Sequence, residues 1–190
     1  MALLPDRRDG VNVNGAKAIH LAVLAAALAA AGLLAASAFA TSRSEQSLPA
    51  LNRQVLAAVN RFRVAHGLVA LRESEALDRA ARRHSLEMGR DGYFGHASAD
   101  GTAFWRRIRQ YYKAGGYSLW SVGENLLWVA PGVSAGRAMK LWIASPEHLR
   151  NLLGSQWRQI GVSAVRVPRA PGVFHGLRVT IVTTDFGVRR

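Results

Sequence analysis

Between Pro49 and Leu153 the apolar residues recur mostly at helical spacing, and beyond Gly154 they alternate. Leu51, Val55, Val59 and Phe62 fall on one helix face. Pro49 suits the first turn of that helix and Gly67 its C-terminal cap. Ser74 reads as the N-cap of a second helix, with Glu75 where the helix dipole favours an anion. Leu77, Ala80, Ala81, His84 and Met88 make its inner face, on which His84 is read as packing, and Gly89 and Gly92 end it. Asp100-Gly101 marks a turn. Thr102 then caps a third helix with Phe104, Ile108 and Tyr111 inward, stopped by Gly115-Gly116. The stretch around Gly123-Glu124-Asn125 is expected to be a loop. A fourth helix is expected from about Ser134 to Ala144, and a short fifth from Ser145 and Pro146 through Leu153.

After Gly154 the texture is that of strands. Ile160, Val162, Ala164 and Val167 form one, residues 168–172 a turn, and Leu177, Val179, Ile181 and Val182 a second that runs out to Asp185-Phe186-Gly187. Helices first and strands last predict an α+β fold with an antiparallel sheet.

Ahead of this lies a different pattern. Ile19 to Ala40 is apolar apart from His20 and Ser37, and Arg7, Arg8 and Lys17 precede it. A basic segment, an apolar run and Ala38-Phe39-Ala40 together match a secretory signal with an A-x-A processing site. About 20 apolar residues also suffice to span a bilayer, and the length of the run favours an uncleaved anchor. Basic residues before the run hold that side in the cytoplasm, so everything after Ala40 is expected outside, membrane-anchored or secreted. The expected organisation is a cytoplasmic basic segment plus signal peptide or transmembrane helix over 1–40, a linker over 41–48, and one domain over 49–190. That domain is large enough for a core without disulfides. The absence of cysteine excludes disulfides, Cys-ligated zinc and thiol catalysis.

Charge narrows the partners. The chain carries 25 Lys and Arg against 12 Asp and Glu, a net charge of +13. Only one unit of that excess lies in residues 1–40. Such a surface favours polyanions. Export removes nucleic acid from the candidates and leaves an anionic envelope polymer or anionic lipid.

Three polar clusters interrupt the apolar pattern: Phe94-Gly95-His96-Ala97-Ser98, Gly123-Glu124-Asn125 and Ser145-Pro146-Glu147-His148. Each stands at the edge of an apolar element, where a scaffold can aim side chains into a common cleft. His96, Glu124 and His148 are therefore the candidate site. Imidazole and carboxylate suit Zn²⁺ or a similar divalent ion, and two His plus one Glu with water is the donor count of an open zinc site. The zinc-peptidase pattern H-E-x-x-H is absent from the sequence. Gly132-Val133-Ser134-Ala135-Gly136 matches G-x-S-x-G, but Pro131 disfavours a strand running into it and Ser134 is more simply a helix N-cap. Trp120 and Trp128 flank Glu124 and are the candidate walls of an apolar ligand groove.

The clusters also follow a familiar order. Asn60-Arg61, Gly67-Leu68, Leu71, Leu77, Ala81 and His84 are followed by the His96 cluster with Asp100-Gly101, then Gly123-Glu124-Asn125, then Trp142 with Ser145-Pro146-Glu147-His148 and Asn151-Leu152-Leu153. Ile160-Gly161-Val162 and Asp185-Phe186-Gly187 come last. Over about residues 50–187 this resembles the bacterial branch of the CAP superfamily, the SCP-like extracellular domains of cysteine-rich secretory, antigen 5 and pathogenesis-related proteins. The resemblance implies a three-layer α-β-α sandwich, secretion, and a cleft of two His and two acidic residues able to bind a divalent cation. His96 matches the first His, Glu124 the first Glu and His148 the second His. The second Glu has no counterpart just after Trp142; either Glu147 substitutes or the site is a triad. The expected function is an exported or membrane-anchored module with a metal-capable cleft for an envelope-related or lipid ligand. The alternatives are a metal-dependent hydrolase using the same cleft and a basic envelope-associated protein without an active site.

Overall fold

The computed structural model describes residues 45–190. The signal or anchor expected over 1–40 lies outside the described residues. Among the described residues no helix is long and apolar enough to cross a membrane. In chain order the elements are β1 (Gln46–Ser47), α1 (Pro49–Ala65), β2 (Arg72–Glu73), α2 (Glu75–Asp91), α3 (Phe104–Tyr111), β3 (Trp120–Val129), α4 (Ala135–Ile143), α5 (Pro146–Leu152), β4 (Gln159–Val167) and β5 (Val179–Arg189).

The strands form one sheet in the order β1-β4-β5-β3, with β2 also on β4. All pairings are antiparallel except the short β2–β4 pair, which is parallel. Successive side chains in a strand point to opposite faces, and both faces here are apolar. Ile160, Val162, Ala164, Val182 and Phe186 pack with Val55 and Val59 of α1, Met139 and Trp142 of α4, and Leu152 of α5. Their neighbours Val165, Val167, Val179 and Ile181 pack with Met88 of α2 and with Phe174. Leu77 and Ala80 of α2 meet Ile108 of α3 and Tyr112 in a third cluster. Helices thus cover the sheet on both sides, the α-β-α sandwich that the resemblance implies.

Local departures from the sequence reading have physical causes. The Gly123 stretch is not a loop but the strand β3, paired residue by residue with β5 from Trp120↔Arg189 to Val129↔Thr180. Gly89 does not end α2; it is buried in the helix, where an added Cβ would stand 2.6 Å from Val167 Cγ2. The helix continues to Asp91 and closes on Gly92, whose φ of 74° is the left-handed cap. The cap of α3 is Ala103 rather than Thr102. Gln46 and Ser47, read as the end of a linker, add a short edge strand opposite Arg166 and Val165.

Two side chains complete the hydrogen bonding of β4 at the edge that β1 and β2 only partly cover. Asp78 Oδ1 accepts from the Val162 amide at 2.7 Å, and Asn52 Oδ1 from the Ala164 amide at 2.7 Å. A buried arginine fixes the opposite layer. Arg63 of α1 donates to the carbonyls of Leu152 at 2.8 Å and Gly154 at 3.0 Å, where α5 runs out of backbone partners. This contact holds α5, and with it His148, against α1.

Candidate functional site

Strand β3 is an outer strand of the sheet, and alternation sends its two polar residues to opposite faces. Glu124 lies opposite Asp185 and shares its face with α2 and α3; Asn125 lies opposite Thr184 and faces α5. Both are buried. A buried carboxylate needs partners, and Glu124 has one for each oxygen. Oε1 meets His96 Nδ1 at 2.8 Å, and Oε2 accepts from the guanidinium of Arg107.

Arg107 comes from α3 and is buried. Its other terminal nitrogen donates to the His96 carbonyl at 2.8 Å and to Ser98 Oγ at 3.4 Å. One guanidinium thus fixes both Glu124 and the loop that carries His96. The loop has further ties. His84 Nε2 donates to the Gly95 carbonyl at 2.8 Å, and Asp100 Oδ1 accepts from the Thr102 amide at 2.8 Å. His84 is therefore more than packing. Burial holds its pKa below the ordinary imidazole value, so it is a neutral donor to the loop.

Since an ionised carboxylate only accepts, the Nδ1 of His96 carries the proton in the contact with Glu124. In the neutral ring Nε2 is then the bare nitrogen. It makes no hydrogen bond among the described residues, and the His96 side chain is 53% exposed against 1% for Glu124. A buried carboxylate orienting a half-exposed imidazole is an arrangement suited to a metal ligand or to a base. A hollow of about 550 Å³ opens along this loop, with His96, Ser98 and Tyr93 in its wall.

Asp185 completes the buried charge cluster. It is fully buried, and its pKa is raised well above the carboxylate range, first by burial and then by Glu124, with Arg107 opposing. Among the described residues neither of its oxygens has a donor. A proton held on Asp185 turns its contact with Glu124 into a hydrogen bond. The cluster then holds one cation, Arg107, one anion, Glu124, and neutral Asp185 and His84.

His148 approaches from the other helical layer, in the first turn of α5. Asn125 Nδ2 donates to its carbonyl at 3.0 Å. Asn151, one turn on, donates from Nδ2 to the Glu124 carbonyl at 2.9 Å and to Asn125 Oδ1 at 2.8 Å. The two asparagines thus fasten α5 to β3 beside Glu124. The His148 ring is half-buried, and its Nδ1 is buried without a partner among the described residues. Its pKa is lowered, first by burial and then by His96.

The remaining candidates separate from this cluster. Glu147 projects into solvent, its side chain 84% exposed and 3.9 Å from Arg150. Trp120 and Trp128 stand near the two ends of β3, each held by a different neighbour. Trp120 Nε1 donates to the Tyr112 carbonyl at 2.8 Å, and Trp128 packs edge-on to Phe174 at 5.2 Å; each closes one end of the α2–α3 face. Ser134 is the N-cap of α4, accepting from the Arg137 amide at 3.3 Å. Arg107 and Asp185 are the residues the sequence reading missed. Arg107 lies three residues after Phe104 and next to Ile108, on a face otherwise apolar, and a charge there is a signal of a buried partner.

The cluster can be tested for its fit to a cation. Among the described residues no three His, Asp or Glu side chains stand together as a metal cage. Both Glu124 oxygens are engaged, which leaves His96 Nε2 and the orphaned Nδ1 of His148 as nitrogen donors. Two imidazoles with a carboxylate behind one of them suit a cation whose other ligands come from solvent or substrate.

Comparison with known proteins gives a consistent family. The model of the cysteine-rich secretory protein family, CAP, matches residues 56–182. The uncharacterized protein YkwD of Bacillus subtilis (strain 168) is 31% identical over 127 residues, 66% of this chain and 46% of its own length. The uncharacterized membrane protein YlbC of the same strain is 28% identical over 114 residues, 60% of this chain and 31% of its own. The chain therefore spans less than half the length of either relative. Among solved structures, an outer surface protein from Borrelia burgdorferi superposes with a TM-score of 0.60 at 18% identity, covering 77% of this chain and all of that one. An extracellular protein containing a SCP domain from Bacillus anthracis str. Ames gives 0.57 at 25% identity, covering 75% of this chain and 41% of that one.

Proposed function

We propose, given that the chain belongs to the cysteine-rich secretory protein (CAP) family, that it is an exported binding domain whose cleft presents His96 and His148 to a divalent cation and its ligand. The observation that carries this reading is Glu124, buried between His96 and Arg107, which leaves His96 Nε2 bare on a half-exposed ring. Export rests on the apolar run 19–40 and on the outer-surface and extracellular proteins that share the fold.

In this reading His96 and His148 hold the ion, and Glu124 fixes the tautomer and direction of His96 from behind. Asn125 and Asn151 set the distance between the two rings by tying α5 to β3. A bound zinc or similar ion would polarise an oxygen atom of the ligand. The surrounding protein favours an anionic, envelope-derived ligand through its excess of arginine.

Calorimetric titration of the full-length chain with zinc tests the proposal. Binding is expected in the parent protein, with at least a tenfold loss in both His96→Ala and His148→Ala. Heat of binding that survives the double substitution would overturn it, as would no binding in the parent.

A further inference from the structure

A second surface is set apart by its charge. Helix α1, PALNRQVLAAVNRFRVA, carries three arginines and no acidic residue, and α4, AGRAMKLWI, carries Arg137 and Lys140 and again no acid. On the opposite layer α2 is balanced: Glu75, Asp78, Glu87 and Asp91 accompany its four arginines. There Arg79 meets Glu75 at 2.5 Å and Arg90 meets Asp91 at 2.6 Å. The cations of α1 and α4 make no salt bridge among the described residues; α3, on the other layer, also carries Arg106, Arg107 and Arg109 without an acid.

A groove runs through the α1–α4 layer. Two adjoining hollows of about 510 and 470 Å³ share Ala50, Gln54 and Ser134. Arg53 and Arg61 stand on the α1 wall of the first, and Arg166 of β4 lines the second. None of the three arginines makes a salt bridge or a side-chain hydrogen bond among the described residues, and all are exposed. The facing wall is bare: an added Cβ at Gly136 would have nothing within 4 Å. Among the described residues no acidic side chain lines either hollow.

We infer that this groove binds an extended phosphodiester polymer of the cell envelope, at a site separate from the His96 cleft. Eight residues of helix set Arg53 and Arg61 ~12 Å apart along the axis, too far for one small anion and suited to successive charges on a chain. Guanidinium forks match phosphate oxygens in pairs. The first turn of α4, open at Gly136, adds backbone N–H groups that favour the same anion. The inference shares with the proposed function the premises that the domain is exported and that its arginines favour an anionic envelope ligand.

The test is calorimetry of the full-length chain, in a neutral non-ionic detergent, with a purified deacylated poly(glycerol phosphate). The parent protein is expected to bind, and Arg53→Glu with Arg61→Glu to weaken binding at least tenfold. The milder pair Arg53→Gln with Arg61→Gln should weaken it in the same direction, and circular dichroism of both checks the fold. Arg82→Glu with Arg83→Glu, an equal charge change on α2, should stay within twofold, as should His96→Ala with His148→Ala. A polyuronate chain should bind several-fold more weakly than the phosphodiester. Equal losses from the α1 and α2 pairs would reduce the groove to general basicity and overturn the inference. Loss in the histidine pair would move the ligand to the cleft and overturn it too, as would equal affinity for polyuronate or binding only to anionic lipid vesicles. Zinc titration of the α1 variants should match the parent, so failure here leaves the reading of the cleft to its own test.

Discussion

Glu124 and Asp185 stand opposite each other in the β3–β5 ladder, both buried, yet only Glu124 has hydrogen-bond donors among the described residues. Arg107 balances Glu124, and burial, then the charge of Glu124, raises the pKa of Asp185. The folded-state pKa of Asp185 lies above its unfolded value. Its contribution to stability is therefore full at low pH and is lost as pH rises from the unfolded value of ~3.9 towards the folded one. Asp78 has the same sign, its pKa raised to about 6 mainly by burial.

Asp185→Asn mimics the protonated acid and keeps a donor for Glu124. It should match or exceed the parent's stability at pH 7 and flatten the decline between pH 4 and 7. Urea denaturation across that range reads both effects. Asp185→Leu, which leaves Glu124 without that donor, should instead cost about 1–3 kcal/mol at every pH. If the asparagine variant loses as much as the leucine variant, Asp185 is ionised and the assignment of its proton is wrong.

Arg107 is the second measurable point. Removing it strands a buried carboxylate and frees the His96 loop at once. Arg107→Ala should destabilise the domain by about 3–5 kcal/mol, the usual cost of breaking a buried pair from one side. Lysine cannot serve both Glu124 and the His96 carbonyl with one planar fork, so Arg107→Lys should recover only part of the loss. The ranking is read from denaturation midpoints.

Much of this fold is visible in the chain because the elements that carry one apolar stripe announce themselves. Pro49, Ser74, Ser134 and Pro146 begin helices where expected, and Ile160 to Val167 is a strand. Strand β3 is hidden for a physical reason. It is covered on both faces, so it lacks alternation, and the polar pair at its middle reads as a loop. Those two residues are tolerated because each finds a different partner after folding: Glu124 finds Arg107, seventeen residues before it, and Asn125 finds Asn151. His96, Glu124 and His148 are legible as candidate site residues from their order. Their division of labour is not, because it depends on Arg107 taking one oxygen of Glu124.

Close approach of backbones supplies a sharper test of packing. An added Cβ at Gly161 of β4 would lie 2.1 Å from the Leu77 carbonyl carbon, because the start of α2 crosses directly over the strand. Backbone cannot step aside as a side chain can, so Gly161→Ala should cost more than about 4 kcal/mol or prevent folding. Gly136 faces open space, and Gly136→Ala should be neutral or stabilising by up to about 0.5–1 kcal/mol. Thermal melts of the two variants give the comparison; equal melting temperatures would contradict the α2–β4 contact.

The role of Glu124 can be separated from its role in stability by observing the ring it holds. With an ionised carboxylate 2.8 Å from Nδ1, neutral His96 is held as the Nδ1–H tautomer. Free imidazole has no such partner to enforce that choice. Glutamine at this position offers either an acceptor oxygen or a donor amide, so Glu124→Gln should release the preference while keeping the shape of the side chain. Nitrogen-15 spectra of the imidazole, taken well above its titration, distinguish the two ring nitrogens. The parent should show Nδ1 protonated and Nε2 bare, and the variant a mixture shifted towards Nε2–H. Zinc affinity should fall by about 10–100-fold in the same variant, the range for losing a carboxylate that orients a metal-bound histidine. Should the tautomer change while zinc affinity stays constant, Glu124 orients His96 for something other than a cation. Were neither to change, the contact between Glu124 and His96 would have no part in the cleft's chemistry.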